Sequence, residues 1–306
     1  MTTFIIRRVL QLIPVLIGVS ILVFSLMHLT PGNPAVIMAG ESAPEATVQA
    51  IEQRLGLNDP LYVQYWNFLT SALQLDFGTS IRDNIPVMSH IQARFFITLE
   101  LAIYSTIFTV VLGMLAGIVS AVKRYSISDV SLMIVTLFGL SMPNFWLGLM
   151  LIQWFSIELG WFAPTGWGNM DQIVLPVIAL GTAGAAIVAR MTRSSMLDVI
   201  TQDYIRTARA KGVKERVVIF RHALKNALIP VVTVVGLQFG YLLAGSVLTE
   251  SVFAINGLGR LIIDSILQRD FPVVQGAVLV IAVTFVFVNL LVDISYRMLN
   301  KRVDLN

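Results

Sequence analysis

The sequence predicts an all-α, polytopic membrane protein with six transmembrane helices, and three observations carry that prediction. Hydrophobic residues make up 56% of the 306-residue chain and charged residues only 13%, against roughly a quarter charged in ordinary soluble domains. Six stretches free of Asp, Glu, Lys and Arg approach or exceed the length of a membrane crossing. The Lys and Arg residues gather on one side of those stretches, as cytoplasmic loops of membrane proteins do.

A spanning helix needs about 20 apolar residues, because the hydrocarbon core is roughly 30 Å thick and each residue rises about 1.5 Å. The six stretches lie within 9–30, 101–122, 130–157, 172–189, 226–249 and 271–292, the fourth being the shortest. Arg7 and Arg8 before the first run resemble the start of a signal peptide. The apolar region of such a peptide is about 7–15 residues; this run is longer, so it reads as an uncleaved span.

Residues 31–97 form the sizeable water-exposed segment. Ser42 to Glu45 reads as a capping box opening a short helix that Gly56 ends. Asn58-Asp59-Pro60 reads as the cap and first position of a second helix reaching about Leu75. This is a small helical cap, too small for an enzyme domain. Further on, Pro143 predicts a kink in the third span, serving either gating or packing. Gly113/Gly117 and Gly236/Gly240 have the small-xxx-small spacing that lets helices approach closely. Glu100, Asp129, Glu158, Glu250 and Asp293 fall at predicted span ends, where solvation or snorkelling is expected.

Of the 21 Lys and Arg, sixteen lie with the termini, the 123–125 turn and the 190–225 loop. Only Arg54, Arg82, Arg94, Arg260 and Arg269 lie on the other side. Both termini are therefore expected in the cytoplasm, in agreement with an even number of spans.

Catalytic signatures are absent. There is no cysteine, no Gly-Lys dipeptide for a P-loop, and no HExxH, GxSxG or EF-hand pattern; His28, His90 and His222 are scattered. The basic residues sit in short loops rather than on an aromatic-interleaved face, which excludes nucleic acid as a partner. No catalytic residue, metal or bound cofactor is expected. The spans are nearly free of the ionisable groups that ion-coupled carriers bury. This favours a passive gate moved from outside the membrane, with any energy supplied by another chain.

The loop 190–225 carries nine Lys and Arg against Asp198, Asp203 and Glu215. Met196, Val199, Ile200, Tyr204 and Ala208 fall near one face at helical spacing. Such a helix can lie on anionic lipid or dock a cytoplasmic protein. Gly212 would end it after Ala208–Lys211, leaving a compact knob suited to a groove.

The stretch from Asp203, DYIRTARAKGVKERVVIFRHALKNALIPVVT, resembles the cytoplasmic loop of ABC importer permeases in their dipeptide/oligopeptide branch. That loop has Glu-Ala-Ala, three residues, then Gly; Gly212 and Ala208 match, while Arg206 and Thr207 replace the Glu and the first Ala. The resemblance extends through RRVLQLIPVLIGVSILVF, LGLNDPLYVQYW, LDFGTS, SMPNFWLG, ARMTRSSMLDVI and FAINGLGRLIIDSILQRDFPVVQG. It is closest to the first of the two permease subunits.

The resemblance implies a type I ABC importer permease fold in the bacterial cytoplasmic (inner) membrane. It implies a second homologous permease, two cytoplasmic ATPase subunits that hold ATP and Mg, and an extracytoplasmic peptide-binding protein. Tyr204, Arg206, Thr207, Ala208, Ala210, Lys211 and Gly212 become the expected ATPase-docking contact. Gly257, Gly259, Arg260, Asp264, Arg269 and Asp270 become candidates to meet the binding protein or to stabilise a re-entrant turn. The organisation expected is 1–30 as N-terminus and first span, 31–97 as extracytoplasmic segment, and 98–306 as a five-helix core with the docking loop at 190–230. Di- or oligopeptides are the expected substrate, with glutathione or nickel as alternatives within the family. A stand-alone channel or a membrane enzyme is the competing class.

Overall fold

The computed structural model describes residues 2–29, 33–40 and 42–299, which are helical apart from connections and an isolated bridge between Thr79 and Pro86. Residues 30–32, at the exit of the first predicted span, and 300–306, at the end of the predicted core, lie outside the described residues. Among those described, five helices are long and apolar enough to cross a bilayer, and a sharply bent pair makes a sixth crossing if counted together. The chain folds as two compact units: the chain up to Ile97 with Asn256–Val286, and Thr98–Ile255 with the chain from Phe287 onward.

The first unit holds α1 (Thr2–Leu29), α2 (Pro34–Ala39), α3 (Glu45–Leu55), α4 (Leu61–Leu73), the start of α5 (Val87–Val122), α12 (Leu258–Leu267) and the first half of α13 (Phe271–Leu299). Its core joins Val87 and Ile91 of α5 to Leu258, Leu261, Val273 and Ala277. Gly276 permits that contact, since a Cβ there would lie 2.7 Å from the Val87 side chain.

Two expected helix starts are corrected. The residue before α3 is Pro44, with no side-chain cap, so Ser42 and Glu45 form no capping box. The residue before α4 is Pro60, so the proline stands outside the helix and neither Asn58 nor Asp59 caps it. In both cases the proline ring fixes φ while ψ stays extended, at 143°, and the helix opens one residue later. Gly56 does end α3, at φ +66°, with the Leu57 N–H donating to the Glu52 carbonyl at 3.0 Å.

The second unit holds the rest of α5, α6 (Ile127–Ser141), α7 (Asn144–Leu151) continued by a π-helical segment (Ile152–Glu158), α8 (Met170–Ile200), α9 (Asp203–Ala210), α10 (Glu215–Val217), a second π-helical segment (Val218–Ala223), α11 (Leu224–Val252) and the second half of α13. The fourth predicted span, the shortest by its charge-free run, becomes the 31-residue α8, against which α6, α7 and α11 all pack. It is longer than its apolar run because Asp171, Arg190, Arg193 and Asp198 continue the same helix.

Glycines set the spacing of α5 and α8 from both sides. A Cβ on Gly113 would meet the Ala185 carbonyl and Val188 at 2.8 Å, and one on Gly181 would meet Phe108 at 2.7 Å. Thr109 Oγ1 uses the closeness to donate to the Gly181 carbonyl at 2.9 Å. Gly236 plays the same part beneath Val292 of α13. Small residues at such crossings gain packing where the lipid itself gives no hydrophobic drive.

The third span is not a kinked rod. Pro143 lacks an N–H and bars α conformation at the preceding residue; Met142 is accordingly extended, at φ −83° and ψ 126°. α6 therefore stops at Ser141, and the segment from Asn144 leaves at 103° to it.

Candidate coupling site

Helix α9 is polar on one side and fixed on the other. Ile205 is its anchor, fully buried among Met196 of α8, Ile118 and Ala121 of α5, and Val218, Ile219, Ala223 and Ala227 of the π-helical segment and α11. The expected continuous face from Met196 to Ala208 is interrupted, because α8 ends at Ile200 and α9 begins at Asp203. The break rotates the register. Ile205, rather than Tyr204, points inward, and Tyr204 is exposed with its hydroxyl accepting from Asn226 Nδ2 at 2.7 Å.

Of the seven expected docking residues, Tyr204, Arg206, Thr207, Ala210, Lys211 and Gly212 are exposed, while Ala208 is half-buried against the anchoring cluster. Gly212 has φ +75°. The Gly212 N–H donates to the Arg209 carbonyl at 2.9 Å, and the Val213 N–H to the Ala208 carbonyl at 3.2 Å. That pair of bonds is a Schellman closure, completed by the packing of Val213 and Ala208 on one cluster. Arg209 then donates to both Glu215 carboxylate oxygens, at 3.0 and 2.6 Å, bracing the turn. These bonds push the Arg209 pKa above its ordinary value, so the guanidinium stays charged. Nothing lies within 4 Å of a Cβ at Gly212, so the tip is bare.

A second feature escaped the sequence reading. Asp129 is buried, not solvated. It accepts two bonds from Arg193 of α8, one from the Ser120 hydroxyl of α5, and one from the Tyr125 N–H at 3.0 Å. Every carboxylate lone pair in this cluster has work, which is what a buried charge requires. Glu250 is likewise buried, accepting from Thr98 Oγ1 at 2.7 Å. Glu100 accepts from Trp167 Nε1 at 3.1 Å and Glu158 from Gln153 Nε2 at 3.2 Å.

From the Gly212 turn packed side chains lead to the longer helices of this unit. Ile205 touches the α5–α8 cluster, Arg193 on α8 grips the start of α6, and α6 ends at the Pro143 elbow. A cleft of about 500 Å³ opens at that elbow, lined by Ser141, Met142, Pro143, Gly184, Gln238 and Tyr241 among others.

The other candidate group divides. Gly257, Gly259 and Asp270 are buried, whereas Asp264 and Arg269 are exposed and Arg260 is half-buried. Asp270 accepts from the Ser80 hydroxyl and from the Ile81 N–H at 3.1 Å, and Arg82 Nε donates to the Gln268 carbonyl at 2.8 Å. These bonds tie residues 80–82 to the 268–270 turn.

The family described as binding-protein-dependent transport system inner membrane component matches residues 85–305, and the N-terminal region of the same membrane components matches residues 1–102. The chain belongs to this family.

The permease is 46% identical over 303 residues to the glutathione transport system permease protein GsiC of Escherichia coli (strain K12), with 99% of each chain covered. The GsiC of Shigella dysenteriae serotype 1 is equally similar. Among solved structures, the fold resembles the MetNI methionine ABC transporter in an inward-facing conformation, with TM-score 0.61 at 18% identity over 70% of the permease and 97% of that chain. It also resembles an amino acid ABC transporter, with TM-score 0.51 at 18% identity over 71% of the permease and 95% of that chain. The permease is thus an inner-membrane subunit of a binding-protein-dependent ABC importer.

Proposed function

We propose that this permease forms half of the translocation pathway for short peptides, a class that includes glutathione, and is driven by ATPase subunits docked on α9. The single observation that carries the coupling assignment is the bare Schellman tip at Gly212, held by a fully buried Ile205. A rigid base transmits force, and a tip without side-chain cover leaves room for a partner's groove. ATP binding by two partner ATPases then supplies the differential binding energy between two membrane states, while ATP and Mg stay on those chains.

In this reading residues 1–30 are the N-terminus and first span, 31–97 the extracytoplasmic segment, and 98–306 the five-helix core with its docking loop at 190–230. Both termini lie in the cytoplasm, a second permease completes the pathway, and a peptide-binding protein delivers cargo from outside. Asp264 and Arg269, with the half-buried Arg260 that pairs with Asp264, are the side chains of this group placed to meet that protein. Glutathione has specific support in the 46% identity to GsiC over 99% of both chains.

The test is co-purification followed by reconstitution. The tagged permease should bring down a second permease and ATPases, and proteoliposomes with the binding protein should take up labelled glutathione or dipeptides when ATP is supplied. A chain that purifies alone under several mild conditions would overturn the importer assembly. Uptake of neither substrate by an intact complex would overturn the peptide assignment.

A further inference from the structure

We infer that α4 is an interfacial membrane helix, whose Tyr62–Trp66–Leu73 face is immersed in the lipid leaflet at the Leu29 end of α1. The sequence reading made this helix part of a water-exposed cap, but its composition and its contacts argue otherwise. Residues 61–75 contain no charged side chain. Tyr62, Trp66 and Leu73 are 76%, 64% and 78% exposed, and their i, i+4, i+11 spacing puts them on one stripe.

The opposite side of α4 is pinned to the first span at a definite depth. Ser20 Oγ and Tyr65 Oη are hydrogen-bonded at 2.8 Å. The Phe24 ring meets Tyr65 edge-on at 5.5 Å and Phe68 at 5.9 Å between centroids. His28 Nε2 and Gln64 Oε1 are 3.1 Å apart. Ser20 and Phe24 lie roughly 13 and 8 Å along the helix from Leu29, at about 1.5 Å per residue. The same level of α1 is tied to α13, where Gln275 Nε2 donates to the Val23 carbonyl at 3.2 Å.

The candidate crossing of α1, Ile6–Leu29 with Arg7 and Arg8 at its start, has 24 residues, so it is about 36 Å long against a hydrocarbon core of roughly 30 Å. Only a few ångströms at each end project beyond the core. A helix resting on Phe24 therefore sits about 5–10 Å below the headgroup boundary, the depth of interfacial amphipathic helices. Tyr and Trp favour that layer, where a ring meets acyl chains and its polar atom meets water.

One further feature of α4 favours lipid as the occupant of this face. At its C-terminal end an apolar groove of about 590 Å³ opens, lined by Ala72, Leu75, Phe77, Phe95, Phe96 and Val283 among others. A groove of that size and chemistry accepts part of an acyl chain.

The absence of native cysteine makes site-directed spin labelling direct. Tyr62→Cys, Trp66→Cys and Leu73→Cys, with Asn58→Cys as a solvent-exposed reference, would be labelled in the assembled importer, its partner chains freed of cysteine. The complex would sit in vesicles of phosphatidylethanolamine and phosphatidylglycerol. Accessibility to oxygen, which concentrates in acyl chains, should exceed accessibility to a water-soluble nickel chelate severalfold at the three sites and fall below it at Asn58. Nickel accessibility at all three would place α4 in water and overturn the inference. Low accessibility to both reagents would mean a protein partner covers the face, and would overturn it equally. Neither result would bear on the peptide assignment.

Discussion

Arg193 donates from Nε and Nη2 to the two carboxylate oxygens of Asp129, both at 2.8 Å, and so fastens α8 to the first turn of α6. Arg193 lies ten residues before Asp203, where α9 begins, and Asp129 fourteen before Pro143, the elbow that follows α6.

Breaking that link should be costly, because one partner removed leaves the other charged and poorly solvated. Arg193→Ala should destabilise the permease by about 3 kcal/mol or more, read as a lower thermal midpoint of the purified complex. Asp129→Asn should behave similarly. The charge-reversed double substitution should not rescue either, since Ser120 and the Tyr125 N–H both donate to position 129 and an arginine there cannot accept. Full recovery in the reversed pair would show that only the charge matters.

At Gly212 two effects must be separated. Any bulky residue meets the strain of φ +75°, about 1–2 kcal/mol, whereas Asn visits that region more readily. Gly212→Asn should therefore preserve assembly and much of the uptake. Gly212→Trp should insert in the membrane but lose ATP-dependent uptake, because its ring would occupy the partner's space. Normal uptake by the tryptophan variant would remove α9 from the docking role.

Ile205→Ala leaves the knob's outer face untouched and empties its socket. Loss of a fully buried isoleucine side chain typically costs about 2–5 kcal/mol. Here the expected consequence is a loosened α9, with ATPase activity in the complex persisting while uptake falls. Unchanged coupling between hydrolysis and uptake would mean that the anchor does not transmit motion.

Pro143→Ala restores an N–H and lifts the bar on helical Met142. If the elbow gates the cleft, uptake should fall while the complex still assembles. Unaltered uptake would assign the bend to packing alone.

Gly113→Leu tests the α5–α8 crossing. A Cβ at that position meets a backbone carbonyl at 2.8 Å, an obstacle no rotamer change removes. Overpacking of this kind costs about 1–3 kcal/mol or more, so the yield of folded complex should drop before any transport defect can be measured.

The sequence by itself determined the class of this protein. Long charge-free runs have no favourable solvent but lipid, so the crossings near residues 9–30, 101–122, 226–249 and 271–292 were legible as helices. The glycine that ends α9 was equally plain, because a left-handed cap is a local backbone demand. What the tertiary structure decided was which polar groups face inward. Asp129 looked like an ordinary span-end carboxylate until Arg193, distant in sequence, was brought beside it. The inward turn of Ile205 followed from a break at residues 201–202 that periodicity alone did not reveal. The depth of α4 depended on Tyr65 and Phe68 finding Ser20 and Phe24. Local propensity and hydropathy act over one or two helical turns; burial of a charge or the level of a surface helix is set by partners the chain supplies from elsewhere.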